Sequence, residues 1–134
     1  VISNYSNFHV TWTALVIVLG TIVTAAGPHA GDSDVPRLDV AMQDVARMHS
    51  ISVILLMLLT IAFYRRSELT ALTKYRIGIF FLISLAQGAL GYIQYFLGVP
   101  ELLVGLHILG TTLVWIGAWR IWLSVQFRAK EMAL

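Results

Sequence analysis

Residues 48–64 read MHSISVILLMLLTIAFY, a run without a single Asp, Glu, Lys or Arg. A helix of this length rises about 26 Å, close to the roughly 30 Å hydrocarbon core of a bilayer. Arg47 precedes the run, and Arg65 and Arg66 follow it. An uncharged apolar run of this length, bracketed by basic residues, indicates a transmembrane helix.

Three other segments show the same pattern. Residues 1–31 contain no Asp, Glu, Lys or Arg, and neither do residues 77–100 or 102–119. Because open strands leave backbone groups unsatisfied in lipid, we expect all four segments to be helical. The sequence predicts an all-α, integral membrane four-helix bundle in one domain over residues 1–134. The predicted spans are about 10–28, 46–64, 76–97 and 102–124.

The composition agrees with this class of protein. Hydrophobic residues make up 58% of the 134 residues and charged residues only 12%, whereas a soluble domain carries about 25% charged residues. The chain has no cysteine, which excludes disulfides and thiolate metal sites within it. The sequence shows no basic segment with interleaved aromatic residues, so we do not expect it to bind nucleic acid. We expect membrane lipid to surround the helices.

The loops predict the orientation of the bundle. Loop 65–76 carries four basic residues and one acid, whereas loop 28–45 is predominantly acidic. The positive-inside rule predicts a multi-pass cell membrane protein with loop 65–76 and the C-terminus in the cytoplasm and loop 28–45 outside. The second and fourth spans then run in the same direction.

Two histidines are candidates for chemistry within the spans. His49 and His107 each lie one to two turns inside the outer end of an even-numbered span, so we expect them at similar depth. Opposed imidazoles can ligate a heme iron, and the small residues one turn further, Ser52 and Gly110, would leave room for a flat macrocycle. A proton relay and interhelical hydrogen bonding are the alternatives.

Four other polar residues could have a role in a site. Arg47 and Arg37 lie near the expected outer surface, where a guanidinium could pair with an anionic heme propionate or with the acids of its own loop. His29 stands in a Gly/Pro turn, where it could contact a ligand or only shape the turn. His9 lies near the expected cytoplasmic start of the first span. The sequence leaves the roles of His9 and His29 open.

Four segments resemble the C-terminal half of the heme A synthase family. They are GPHAGD at 27–32, RMHS at 47–50, QGALGYIQY at 87–95 and GVPELLVGLH at 98–107. The resemblance implies an eight-helix parent protein made of two four-helix bundles, each with a histidine pair. It also implies that His49 and His107 are the axial iron ligands of a heme b, with Arg47 as a further heme-binding residue.

The family oxidises the C8 methyl group of heme O to a formyl group, which produces heme A for terminal oxidases. The reacting site is expected in the other half, so the resemblance implies no catalytic residue here and no activity of this half alone. The chain begins with Val1, which fits a truncated protein. The implied partners are the missing N-terminal half, heme O as substrate and heme O synthase.

Two other functions compete with this interpretation. The first is an electron-transfer membrane b-type cytochrome or anchor subunit without oxygenation chemistry. The second is a heme-free structural or transport bundle whose histidines are hydrogen-bonded or protonatable.

Overall fold

A computed structural model describes residues 1–28 and 36–131, the last two of these without their side chains. It contains four helices: α1 (Ile2–Ala26), α2 (Met42–Tyr64), α3 (Ala71–Phe96) and α4 (Glu101–Glu131). All four are long and apolar enough to cross a membrane. The predicted all-α transmembrane four-helix class is confirmed.

Local sequence signals mark the ends of α3. The Thr70 hydroxyl accepts a hydrogen bond from the backbone N–H of Thr73 at 3.1 Å, which satisfies one of the free donors at the start of the helix. After Phe96 the chain turns through Gly98 and Val99, which both have positive φ, and Pro100 precedes α4. This short connection makes α3 and α4 an antiparallel hairpin.

The helices pack as a square. Each helix contacts its neighbours in sequence, and α1 closes the square against α4. Within the described residues, α2 and α4 do not contact each other and therefore lie on one diagonal, with parallel directions. The bundle has two ends. The histidine end holds the α1–α2 and α3–α4 connections, and the basic end holds the α2–α3 connection.

Two helices extend well beyond the predicted spans at the basic end. α1 begins at Ile2 rather than near residue 10, and α4 continues to Glu131 rather than ending near residue 124. Polar contacts join these extensions: the Gln126 amide and the Trp122 indole N–H both donate to Asn7 Oδ1, at 3.1 and 2.7 Å. Hydropathy measures the hydrocarbon-crossing part of a helix and misses such polar turns.

The packed core lies toward the basic end. Its largest fully buried apolar side chains are those of Phe63, Ile77, Phe80 and Ile121. By contrast, no residue at positions 42–55 of α2 or 85–96 of α3 is buried. Buried side chains are therefore concentrated toward the basic end and are scarce in α2 and α3 at the histidine end. Large apolar side chains cover the outside, as expected of helices that face lipid.

Candidate functional site

His49 rests on a glycine of the neighbouring helix. Its Nδ1 lies 3.0 Å from the backbone carbonyl oxygen of Val16 in α1. A Cβ placed on Gly20, one turn after Val16, would lie only 3.1 Å from Cε1 of the imidazole. The missing side chain at Gly20 therefore lets the ring approach α1 closely enough to reach the Val16 carbonyl.

This hydrogen bond determines which ring nitrogen carries the proton. A carbonyl oxygen can only accept, so Nδ1 of a neutral His49 must be the protonated nitrogen. Nε2 then presents a lone pair, and it makes no hydrogen bond to any residue that the structure describes. An Nδ1–H held by a backbone carbonyl is the usual way in which a metal-binding imidazole is oriented.

The His107 ring also packs against a glycine of the neighbouring helix, in the second hairpin. We call such a ring-on-glycine contact a glycine seat. A Cβ on Gly91 of α3 would lie 3.3 Å from Cε1 of the His107 ring. Unlike His49, the ring has no acceptor: its Nδ1 is buried and finds no partner among the described residues. The Thr111 hydroxyl does not serve the ring, since it donates to the backbone carbonyl of His107 at 2.9 Å.

The two hairpins place both histidines at one level of the bundle. Each histidine lies about two turns after the start of its helix, and each glycine lies about one and a half turns before its helix ends. The helices that carry His49 and His107 are parallel and lie on one diagonal of the bundle. The structure thus places the two predicted ligands at one level, and their ligand role stays a prediction.

Polar groups without partners lie on α3 beside this site. Gln87 Oε1 and Gln94 Oε1 are buried and have no hydrogen bond within the described part of the chain. The Gln87 amide lies directly against Gly110, where a side chain would clash with it. The small residue at 110 therefore accommodates Gln87 rather than leaving open space, and a macrocycle at this position would require the flexible Gln87 side chain to rotate.

The remaining predicted residues lie at the surface of the histidine end. The Arg47 side chain is exposed and forms an ion pair with Asp44 at 3.4 Å, one helical turn away. Arg37 donates to the Pro28 carbonyl oxygen at 2.8 Å, which holds the two ends of the α1–α2 connection together. His29 lies outside the described residues.

The sequence interpretation missed the position of His9. The side chain lies two turns after the start of α1 and is fully buried within the bundle, which the sequence did not reveal. Its Nε2 lies 3.0 Å from Oγ1 of Thr60. Because the Thr60 hydroxyl donates to the Leu56 carbonyl, it accepts from His9, whose unpartnered Nδ1 is then the unprotonated nitrogen. The spacing of His9, Thr13, Val16 and Gly20 along one helical face was the signal that could have revealed this.

His9 does not belong to the site of the other two histidines. Eleven residues, or about 16 Å of helix, separate it from Gly20, and its ring packs edge-on against Phe80 in the core, with the centroids 4.7 Å apart. Within the described ranges, no group of three His, Cys, Asp or Glu residues could hold a metal ion. The histidine pair is therefore the best candidate for chemistry.

Comparisons with family models, with curated proteins and with solved structures give no match to the chain. The function is therefore inferred from the residues and from their geometry.

Proposed function

We propose that the chain binds a heme b between His49 and His107, and that it is the C-terminal heme-binding half of a heme A synthase. The observation that carries the heme proposal is the hydrogen bond between His49 Nδ1 and the Val16 carbonyl oxygen. This bond presents the Nε2 lone pair of a neutral imidazole, which is the atom and the protonation state that heme iron binds.

Two features of the surrounding bundle support this proposal. Positions 42–55 of α2 and 85–96 of α3 hold no buried residue, and the core lies toward the other end, so a large flat group could enter at the histidine end without disrupting the core. In addition, the buried Nδ1 of His107 has no partner in the described chain, so no hydrogen bond from this atom holds the ring against turning a nitrogen toward an iron.

The residues would have distinct roles. His49 and His107 would each hold the heme iron through a ring nitrogen, and the Val16 carbonyl would fix the orientation of the His49 ring. The exposed ion pair between Arg47 and Asp44 contributes little to stability. Arg47 would leave it and bind a heme propionate instead. When bound, a bis-histidine heme supplies one-electron transfer, with a potential that depends on ligands and burial.

The enzyme assignment comes from the family resemblance. In the whole enzyme, the N-terminal four-helix half would oxidise the C8 methyl of heme O to a formyl group, and this half would hold the second heme. The proposed partners are that N-terminal half and heme O synthase, which would deliver heme O. We also propose a cell membrane location, with loop 65–76 on the cytoplasmic side and loop 28–45 outside.

An electron-transfer b-type cytochrome or anchor subunit is the second candidate. It is favoured by the fact that both histidines and both glycine seats come from this one bundle. The heme site would then need no residue from another half. The two functions can be distinguished by expressing the chain together with any further spans encoded upstream and supplying heme O. Formation of heme A would favour the enzyme, and its absence would favour the electron carrier.

The test of heme binding is a reduced-minus-oxidised visible spectrum of the purified chain. We expect a low-spin b-type spectrum that is lost in His49→Ala and in His107→Ala. His9→Ala is the matched control, because it removes a buried imidazole from the same bundle outside the site. Unchanged heme content in both site variants would contradict the ligand assignment, and a folded wild type without a Soret band would refute heme binding.

A further inference from the structure

A second candidate site lies at the basic end, at the opposite end of the bundle from His49 and His107. There α3 and α4 border a cavity of about 370 Å³, a volume within the range of about 300–1,000 Å³ that is common for ligand sites. Its polar lining consists of two arginines, Arg76 and Arg128, and three hydroxyl residues, Thr70, Thr73 and Ser124. None of the described lining residues is acidic.

The two guanidinium groups are held in place without being neutralised. Arg76 donates to the backbone carbonyl of Arg120 at 3.2 Å, and Arg128 donates to the backbone carbonyl of Glu68 at 2.6 Å. Neither forms an ion pair with an acid that the structure describes. In addition, Nε of Arg76 is buried and has no hydrogen-bond partner in the described chain. The cavity thus has two positioned positive charges and an unused donor.

The carboxylate of Glu68 does not supply the missing counter-charge. It pairs with Arg66 at 3.0 Å. The backbone N–H of Glu68, followed by the Arg66 contact, lowers the pKa of this carboxyl group, so the group stays ionised at neutral pH and remains engaged with Arg66. An anion in the cavity would therefore face Arg76 and Arg128 directly.

The apolar part of the lining indicates what kind of anion fits. Leu72 and Phe127 also line the cavity, and they are 56% and 63% exposed on the outside of the bundle. From Thr70 to Arg76 the lining extends about 9 Å along α3. The charges and hydroxyls thus lie together at one end of the bundle, next to exposed apolar side chains that acyl chains would cover.

We propose that this cavity binds the phosphate headgroup of an anionic phospholipid. Phosphate oxygens would accept hydrogen bonds from the two guanidinium groups, and the acyl chains would contact Leu72 and Phe127. Basic pockets between transmembrane helices bind lipid headgroups in this way. A free phosphate ion would satisfy the same donors but would leave the two apolar side chains uncovered, which favours the lipid. The site is independent of the proposed heme.

The test uses the full chain in nanodiscs that contain phosphatidylcholine and phosphatidylglycerol in equal parts. Native mass spectrometry of the released protein counts the retained lipids at physiological ionic strength. We expect selective retention of phosphatidylglycerol, and a loss of about 100-fold in its affinity in Arg76→Gln/Arg128→Gln, because each charge-assisted hydrogen bond contributes about a tenfold factor or more. The control, Arg65→Gln/Lys74→Gln, removes the same charge at the same end of the bundle but outside the cavity lining.

Three results would overturn the proposal. Equal losses in the two double variants would show diffuse surface attraction, which salt largely screens. Displacement of the lipid by millimolar inorganic phosphate would identify a soluble phosphate ion as the ligand. Equal retention of phosphatidylcholine and phosphatidylglycerol by the wild type would refute selectivity, and this measurement needs no variant and so does not depend on variant folding.

Discussion

Replacement of Gly20 by alanine tests the geometry around His49 most directly. The added Cβ would lie 3.1 Å from Cε1 of the imidazole, closer than ordinary van der Waals contact, which begins near 3.4 Å. The ring must therefore move away from α1 by several tenths of an ångström. This movement lengthens the hydrogen bond from His49 Nδ1 to the Val16 carbonyl oxygen, now 3.0 Å.

The expected effect on heme affinity follows from that movement. Metal sites require their ligands within about 0.5 Å of the productive position. Loss of the hydrogen bond that orients a ligating histidine costs about 10–100-fold in metal affinity, or about 1.4–2.8 kcal/mol. Because Gly20→Ala lengthens this bond without removing it, we expect the variant to bind heme up to about 10-fold more weakly than the wild type while the bundle remains folded.

Gly88→Ala is the matched control for this substitution. A Cβ on Gly88, which lies in α3 near the same end of the bundle, meets nothing within 4 Å. Alanine favours a helix over glycine by up to about 1 kcal/mol, so both variants gain the same intrinsic helix stability. Only Gly20→Ala displaces an imidazole.

The assay is a heme titration of each purified variant, followed by Soret absorbance, with helix content from circular dichroism as the check of folding. If Gly20→Ala and Gly88→Ala bind heme equally well, the contact between Gly20 and His49 does not position a ligand. The hydrogen bond from His49 Nδ1 to the Val16 carbonyl would then not be what orients a heme ligand.

Two further predictions concern polar residues at the two ends of the bundle. Thr60→Val should lower the free energy of unfolding by about 1–3 kcal/mol, since it leaves the buried N–H of His9 without an acceptor. Thr13→Val should cost less, because the Thr13 hydroxyl only adds a bond to a backbone carbonyl, and equal losses in denaturant unfolding would contradict this. At the other end, Arg47→Gln should weaken heme binding, whereas Asp44→Asn, which breaks the same exposed pair, should leave it unchanged or tighter. Parallel titrations of these two variants distinguish a propionate contact from a merely structural pair.

The number and type of the helices were predictable from the sequence because lipid imposes simple rules. An apolar run of sufficient length can only be a helix there, and four successive membrane-crossing helices must alternate in direction. The similar depth of His49 and His107 followed from that alternation alone. The confirmed fold class thus rests on hydropathy and charge, which are properties of individual segments.

The contacts inside the bundle were not predictable in the same way. Hydropathy placed His9 near the start of the first span, but it does not register that the ring contacts Thr60 and Phe80. Small size at position 110 suggested space, but which neighbour fills that space depends on the rotation of α3. Such facts depend on the rotation and pairing of helices, and a single sequence constrains these only weakly.

One register relation was nevertheless present in the sequence. In each hairpin, a glycine lies shortly before the connection and a histidine lies a similar distance after it. The two connections differ greatly in length, so the loops cannot be what aligns Gly20 with His49 and Gly91 with His107. Contacts along the helices must set the register, and the seat of an imidazole on a glycine is one such contact in both hairpins.

The two seats differ in one respect that matters for the proposed site. The His49 ring has its orientation fixed by the Val16 carbonyl before any ligand binds, whereas the buried Nδ1 of His107 has no partner in the described chain. Its ring packs against Gly91 without such a hydrogen bond. In a heme-binding bundle, His49 would therefore be the preorganised ligand, and His107 would be the one that heme binding itself has to orient.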